Sequence, residues 1–149
     1  MLKKALAVSL LLSISSYGIA EDGLIHVKSQ HSVAVTTDKL VKVLSAKGMT
    51  VFNRIEHSKA AEQIGVTIGD SALVIFGNPK IGSKLMKCAA TVAIDLPQKA
   101  LISADDKQQV WISYNDPKYL QQRHQIKGCD EVIAKVSGAL SKFVEAAAN

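Results

Sequence analysis

Ser71-Ala72-Leu73-Val74-Ile75-Phe76-Gly77-Asn78-Pro79-Lys80-Ile81-Gly82 is the stretch on which the reading of this chain turns. The unbroken apolar run from Ala72 to Phe76 has no polar face, which predicts a mid-sheet strand covered on both sides. Gly77 ends the run. Asn78 is a helix-capping residue, and Pro79 suits a first helical position, where no amide donor is needed. The stretch therefore predicts a buried strand that hands free backbone amides and Lys80 to a helix start.

Working outward, Leu24 to Lys28 reads as a short first strand. Ser32 caps a helix from Val33 to Lys47, in which Val33, Thr37, Leu40 and Leu44 share a face and Gly48 supplies the terminator. Thr50 to Glu56 is a second strand, followed by a short helix from Lys59 to Ile64 closed by Gly65. On the other side, Ile81, Leu85 and Cys88 share a face of the Asn-Pro helix, so Cys88 points at the core. Asp95-Leu96-Pro97 is a break. Lys99 to Ser103 and Gln109 to Tyr114 form a hairpin around Asp105-Asp106-Lys107. Trp111 and Tyr114 fall on opposite faces of that strand, which predicts one in the core and the other in a groove or subunit contact. Lys118 to His124 is a short helix. Asp130 caps the last helix, with Val132, Val136, Leu140, Phe143 and Ala147 as its buried stripe and Ala146 to Asn149 as a frayed tail. Helices and strands mix without strict alternation, and a hairpin is present. The order predicts an α+β fold, a mostly antiparallel sheet with helices packed on one face.

The chain of 149 residues opens Met1-Leu2-Lys3-Lys4, runs apolar from Ala5 to Ile14 and continues Ser15-Ser16-Tyr17-Gly18-Ile19-Ala20. A positive start, a short apolar middle and small residues at the end make the pattern of a secretory signal. The expectation is a signal peptide at residues 1–20, cut after Ala20, and a single α+β domain at residues 21–149, periplasmic or secreted. The apolar run is too short to span a bilayer, so no stable membrane association is expected once the leader is removed. The net charge of +5 includes the leader's Lys3 and Lys4. The other charges alternate in sign, and Lys80, Lys84 and Lys87 make the one local basic cluster, so nucleic acid is not an expected partner. Cys88 and Cys129 are the sole cysteines. An even pair in an exported protein is expected to be bridged. The closed loop of about forty residues would contribute on the order of 4 kcal/mol.

Free amides at the Asn78-Pro79-Lys80 helix start, with Lys80 and Lys84, offer a seat to a small anionic ligand. The glycine spacing and ending are not those of a Walker A phosphate loop. The ligand-binding candidates are Asn78, Lys80, His57, Asp95 and Tyr114, which all fall at strand ends or loops and are expected to converge on one pocket. The histidines His26, His31, His57 and His124 show no metal-ligand spacing, so no metal and no cofactor is expected. Two alternatives stand beside a binding or accessory domain. One is an enzyme with His57 or His124 as proton-transfer base beside a carboxylate such as Asp95, Asp116 or Glu56. The other is metal or redox handling through Cys88, Cys129, Met86 and the histidines. No Gly-x-Ser-x-Gly elbow is present, and no catalytic residue is assigned.

Four motifs in order carry a family resemblance: Phe52-Asn53-Arg54-Ile55-Glu56-His57, Phe76-Gly77-Asn78-Pro79-Lys80-x-Gly82, Asp95-Leu96-Pro97-x-Lys99 and Trp111-Ile112-Ser113-Tyr114-Asn115-Asp116-Pro117. Together they resemble the family called domain of unknown function 302, from about Leu24 to Phe143, in its exported form. The resemblance implies a two-layer α+β sandwich similar to the TATA-box-binding-protein fold class and a tendency to form homodimers. It implies no activity and carries over no site residue.

Overall fold

The computed structural model describes residues 23–149; the expected signal peptide at residues 1–20 and its cleavage point lie outside the described residues. The strands are β1 (Leu24–Lys28), β2 (Thr50–Glu56), β3 (Ser71–Gly77), β4 (Gln98–Ala104) and β5 (Val110–Asn115). The helices are α1 (Val33–Ala46), α2 (His57–Glu62), α3 (Pro79–Cys88), α4 (Pro117–Arg123) and α5 (Asp130–Ala148), with a 3-10 turn at Ala90–Ile94. The strands form one sheet in the order β1-β5-β4-β3-β2, and every neighbouring pair is antiparallel. With α1 and α5 on its face, this is the expected α+β architecture.

β3 does lie inside the sheet, between β4 and β2, but the expectation that both its faces are covered is corrected. Ala72, Val74 and Phe76 are fully buried beneath the helices, whereas Leu73 and Ile75 are only half-buried on the opposite face. An antiparallel sheet needs cover on one side only, and side chains alternate with a period of two. The same alternation settles the aromatic pair on β5. Tyr114 is in the core, and Trp111 lies on the other face, where its indole N–H donates to Asp105 Oδ2 at 2.9 Å.

α1 forms where Ser32 Oγ accepts from the Val35 amide at 3.3 Å, and it buries Val33, Thr37, Leu40 and Leu44 against the sheet. α5 departs from expectation in three ways. Asp130 is its first residue rather than its cap, and its carboxylate accepts from Gln121 Nε2 at 2.7 Å. The fully buried positions are Ile133, Leu140, Val144, Ala147 and Ala148, with Val132, Val136 and Phe143 half-buried at the edge of that stripe. The C-terminal residues are docked, not frayed: the Gln30 amide donates to Ala148 O at 2.9 Å, because two alanines are small enough to seat closely beside the exit of β1.

The main core joins α1, α5 and the covered sheet face. A smaller cluster of Leu85, Val92, Ile126, Cys129 and Ile133 joins α3, the 3-10 turn and the start of α5. Cys88 and Cys129 form a disulfide at its edge, with 6.4 Å between their Cα atoms.

Candidate functional site

Gly77-Asn78-Pro79 turns the chain from β3 into α3 as the residue types require. Asn78 is extended, and its side chain accepts from the Lys80 amide at 3.0 Å, while Pro79 takes the first helical position. The helix start is thus capped by its own asparagine. Lys80 is exposed on the outside of the turn.

Beneath this turn lies a cavity of about 500 Å³. One wall is α3, through Ile81, Gly82 and Leu85. A second is the Leu96-Pro97 segment, whose peptide is cis. α5 closes it with Val136, Leu140 and Phe143. The exposed side chains of Phe52 and Met86 also border it. Polar residues on the lining are few: Asn78, Ser83, Gln98 and Lys135, with no carboxylate among them. Ser83 spends its hydroxyl proton on Pro79 O at 2.7 Å. Gln98 is different. It is 7 % exposed, and its Nε2 has no hydrogen-bond partner among the described residues. Buried amide donors without a partner are uncommon, and each costs free energy relative to one satisfied by water.

Gly82 bears on the same space. A glycine inside a helix costs about 1 kcal/mol relative to alanine. A Cβ added there would meet Leu96 Cδ1 at 3.7 Å and Met86 Cε at 4.0 Å, ordinary contacts. Nothing in the packing demands glycine, so its effect is to leave the cavity wall set back.

The five sequence-predicted ligand residues do not share this pocket. Asn78 lines it. Lys80 and Asp95 flank it from outside, and Tyr114 is buried in the main core at 4 % exposure. His57, exposed at the start of α2, sits at the far end of β3 from Asn78, roughly 20 Å away at the rise of an extended strand. Strand ends were expected to meet, but antiparallel pairing puts the β2–α2 junction and the β3–α3 junction at opposite ends of the paired strands. The residues missed by sequence reasoning are Gln98, Gly82 and Lys135. Gly82 alone carried a signal, being a glycine inside a helical pattern.

Asp95 has a partner of another kind. Its carboxylate accepts from His124 Nε2 at 2.5 Å and from the Arg123 guanidinium at 3.5 Å, and His124 Nδ1 lies 3.1 Å from Thr91 Oγ1. The His124 side chain is 6 % exposed. Both ring nitrogens are occupied, and none of Thr91, Asp95 and His124 lines the cavity. The cluster ties the end of α4 to the segment that forms the cavity's second wall. Lys99 Nζ adds bonds to Asp95 O and Pro97 O, each at 3.0 Å. The disulfide leaves neither cysteine as a thiolate, and among the described residues no group of three His, Cys, Asp or Glu side chains is placed to hold a metal ion.

A second space, about 940 Å³, opens at the opposite end of the sheet beside His26, His31 and Trp111. Its polar groups are largely engaged with one another or with neighbours: His26 with Ser113, His31 with Lys39, Gln30 with Asn149.

Fold and site together define a two-layer α+β domain with an apolar cavity at the exit of an inner strand. The chain belongs to the family described as Domain of unknown function DUF302, whose model matches residues 25–143. It resembles a crystal structure of an uncharacterized conserved DUF302 protein from Bacillus stearothermophilus, with a TM-score of 0.76 at 15 % identity, covering 85 % of this chain and 98 % of that one. At that identity the likeness concerns the fold. Among curated proteins, it is 36 % identical over 129 residues to a protein named fluoride-specific ion channel FluC 1 of Brucella suis, covering 84 % of this chain and 51 % of that protein. A FluC 1 protein of Brucella abortus matches at the same identity over 48 % of its length. The chain thus spans about half the length of the curated relatives it matches.

Proposed function

We propose that the domain is an exported, non-catalytic binding or accessory module that holds a small organic ligand in the cavity beneath Asn78-Pro79-Lys80. The observation that carries this reading is the apolar cavity of about 500 Å³ bordered by Gln98, whose buried amide donor lacks a partner. Cavities of this size with a few polar groups are the usual form of small-molecule sites. The Cys88–Cys129 disulfide supports export, since such bonds persist in oxidising compartments. The homodimer implied by the family belongs to the same proposal, and sedimentation of the purified protein tests it.

The fluoride-channel name enters with a limit. An ion channel must span the bilayer, and no helix among the described residues is long and apolar enough to do so. The chain matches about half of those relatives, and the proposal carries over from them an accessory role and not ion conduction. The acid–base alternative is supported by the His124–Asp95 pair, yet that pair lines neither cavity described above and both imidazole nitrogens are engaged, which fits a structural latch better. Nuclear magnetic resonance tests the binding reading. Adding an apolar probe such as dodecanol should shift amides of α3, α5 and Gln98. Shifts confined to the His26–Trp111 end, or none at all, would remove the cavity from consideration.

A further inference from the structure

The cavity's chemistry narrows its occupant. Apolar side chains dominate the wall, so the body of the ligand is apolar. No Asp or Glu lines it, so a cationic group would enter without a counter-ion. Two donors on the lining remain uncommitted. Gln98 Nε2 is buried without an acceptor, and Lys135, exposed on α5, lines the cavity with no ion pair or hydrogen bond among the described residues. Ser83 donates to Pro79 O and Asn78 Oδ1 accepts from the Lys80 amide, and neither side chain is hydrogen-bonded to Gln98 Nε2. A donor left over inside calls for an acceptor, and a cation at the rim favours one that bears negative charge.

We propose that the occupant is an amphipathic monoanion: an apolar body lies between α3 and α5, and its carboxylate accepts a hydrogen bond from Gln98 Nε2 while Lys135 supplies the countercharge. This rests on the reading of the cavity as a ligand site. The set-back wall at Gly82 gives the body its room, and exposed Phe52 and Met86 offer apolar cover to whatever part of it remains outside. The anion expected from the sequence thus returns in another form, held by an internal amide and a lysine of α5 rather than by the α3 helix start.

The test is a titration of the full chain with dodecanoate, dodecanol and dodecylamine, read by calorimetry and by the Gln98 side-chain amide resonances. Dodecanoate should bind about tenfold or more tighter than dodecanol, and dodecylamine weakest, as expected for one charge-assisted hydrogen bond added to equal apolar burial. Lys135→Gln should weaken dodecanoate several-fold and leave dodecanol unchanged. Gln98→Met, a swap that roughly conserves volume, should abolish the preference for the acid. Equal binding of acid and alcohol, unaffected by Lys135→Gln, would overturn the monoanion while leaving the cavity reading intact. Binding of none of the probes, or binding insensitive to a cavity-filling Gly82→Leu, would overturn both.

Discussion

Gln98 begins β4 directly after Pro97 and sits on the covered face of the sheet opposite Phe76, where an apolar residue would bury without cost. Leaving its Nε2 unpaired costs about 1–3 kcal/mol. Gln98→Met should therefore raise the stability of the ligand-free protein by about that amount in urea denaturation, even as it weakens binding. A gain in stability coupled to a loss of binding marks a residue kept for a ligand; a loss of both would mark a packing residue. At the far end of the sheet, Asp105 has its carboxyl pulled below the ordinary value of 3.8, first by the Trp111 indole N–H, then by the Gln109 amide, with Lys107 adding to both. A lowered folded-state pKa stabilises above the unfolded value and loses that contribution as pH falls through the folded one. The β4–β5 hairpin should hold unchanged down to about pH 4 and loosen below it. Trp111→Phe should move the Asp105 titration back up toward its ordinary value, read from its carboxyl carbon resonance.

The strand–turn–helix unit was legible at the scale of elements because its signals are local: an apolar run, a glycine, a capping asparagine and a proline each act on their immediate neighbours. The covered face of β3 was half right, since sequence shows apolarity but not which side a helix will occupy. The 3-10 turn at Ala90–Ile94 left no periodic trace in five residues, and the docking of Ala147 and Ala148 depends on a contact with Gln30 more than a hundred residues away. That turn and the following Leu96-Pro97 wall are fastened at two points. The Cys88–Cys129 disulfide holds one end, and the His124–Asp95–Arg123 cluster holds the other. The disulfide closes a loop with a sequence separation of 41. Replacing both cysteines by serine should cost about 4 kcal/mol on the chain-entropy account, seen as a lower melting temperature with the fold retained. It should also speed hydrogen exchange in the Ala90–Pro97 wall more than in β3 and β4, whereas uniform acceleration would mean that the staple acts on the whole domain alike.

Seen whole, the molecule explains why its fold could be read from sequence and its site could not. Four motifs spread along the chain, and an order of strands and helices that mixes without strict alternation around one hairpin, were enough for the α+β architecture and the family. The site is an assembly of side chains from β2, α3, the Leu96-Pro97 segment, β4 and α5, most of them apolar and individually unremarked. Polar residues attracted the sequence reading, yet Tyr114 serves the core, His57 faces solvent at the wrong end of the sheet, and Asp95 is held by His124. The central claim is that this cavity is occupied by a small acidic amphiphile in the protein's own setting. Native mass spectrometry of the full-length protein purified from its host, beside Gly82→Leu prepared alike, tests it most directly. The account predicts a non-covalent acidic organic species on the native protein that is lost from Gly82→Leu; an unliganded native protein, or the same species carried equally by both, would contradict it.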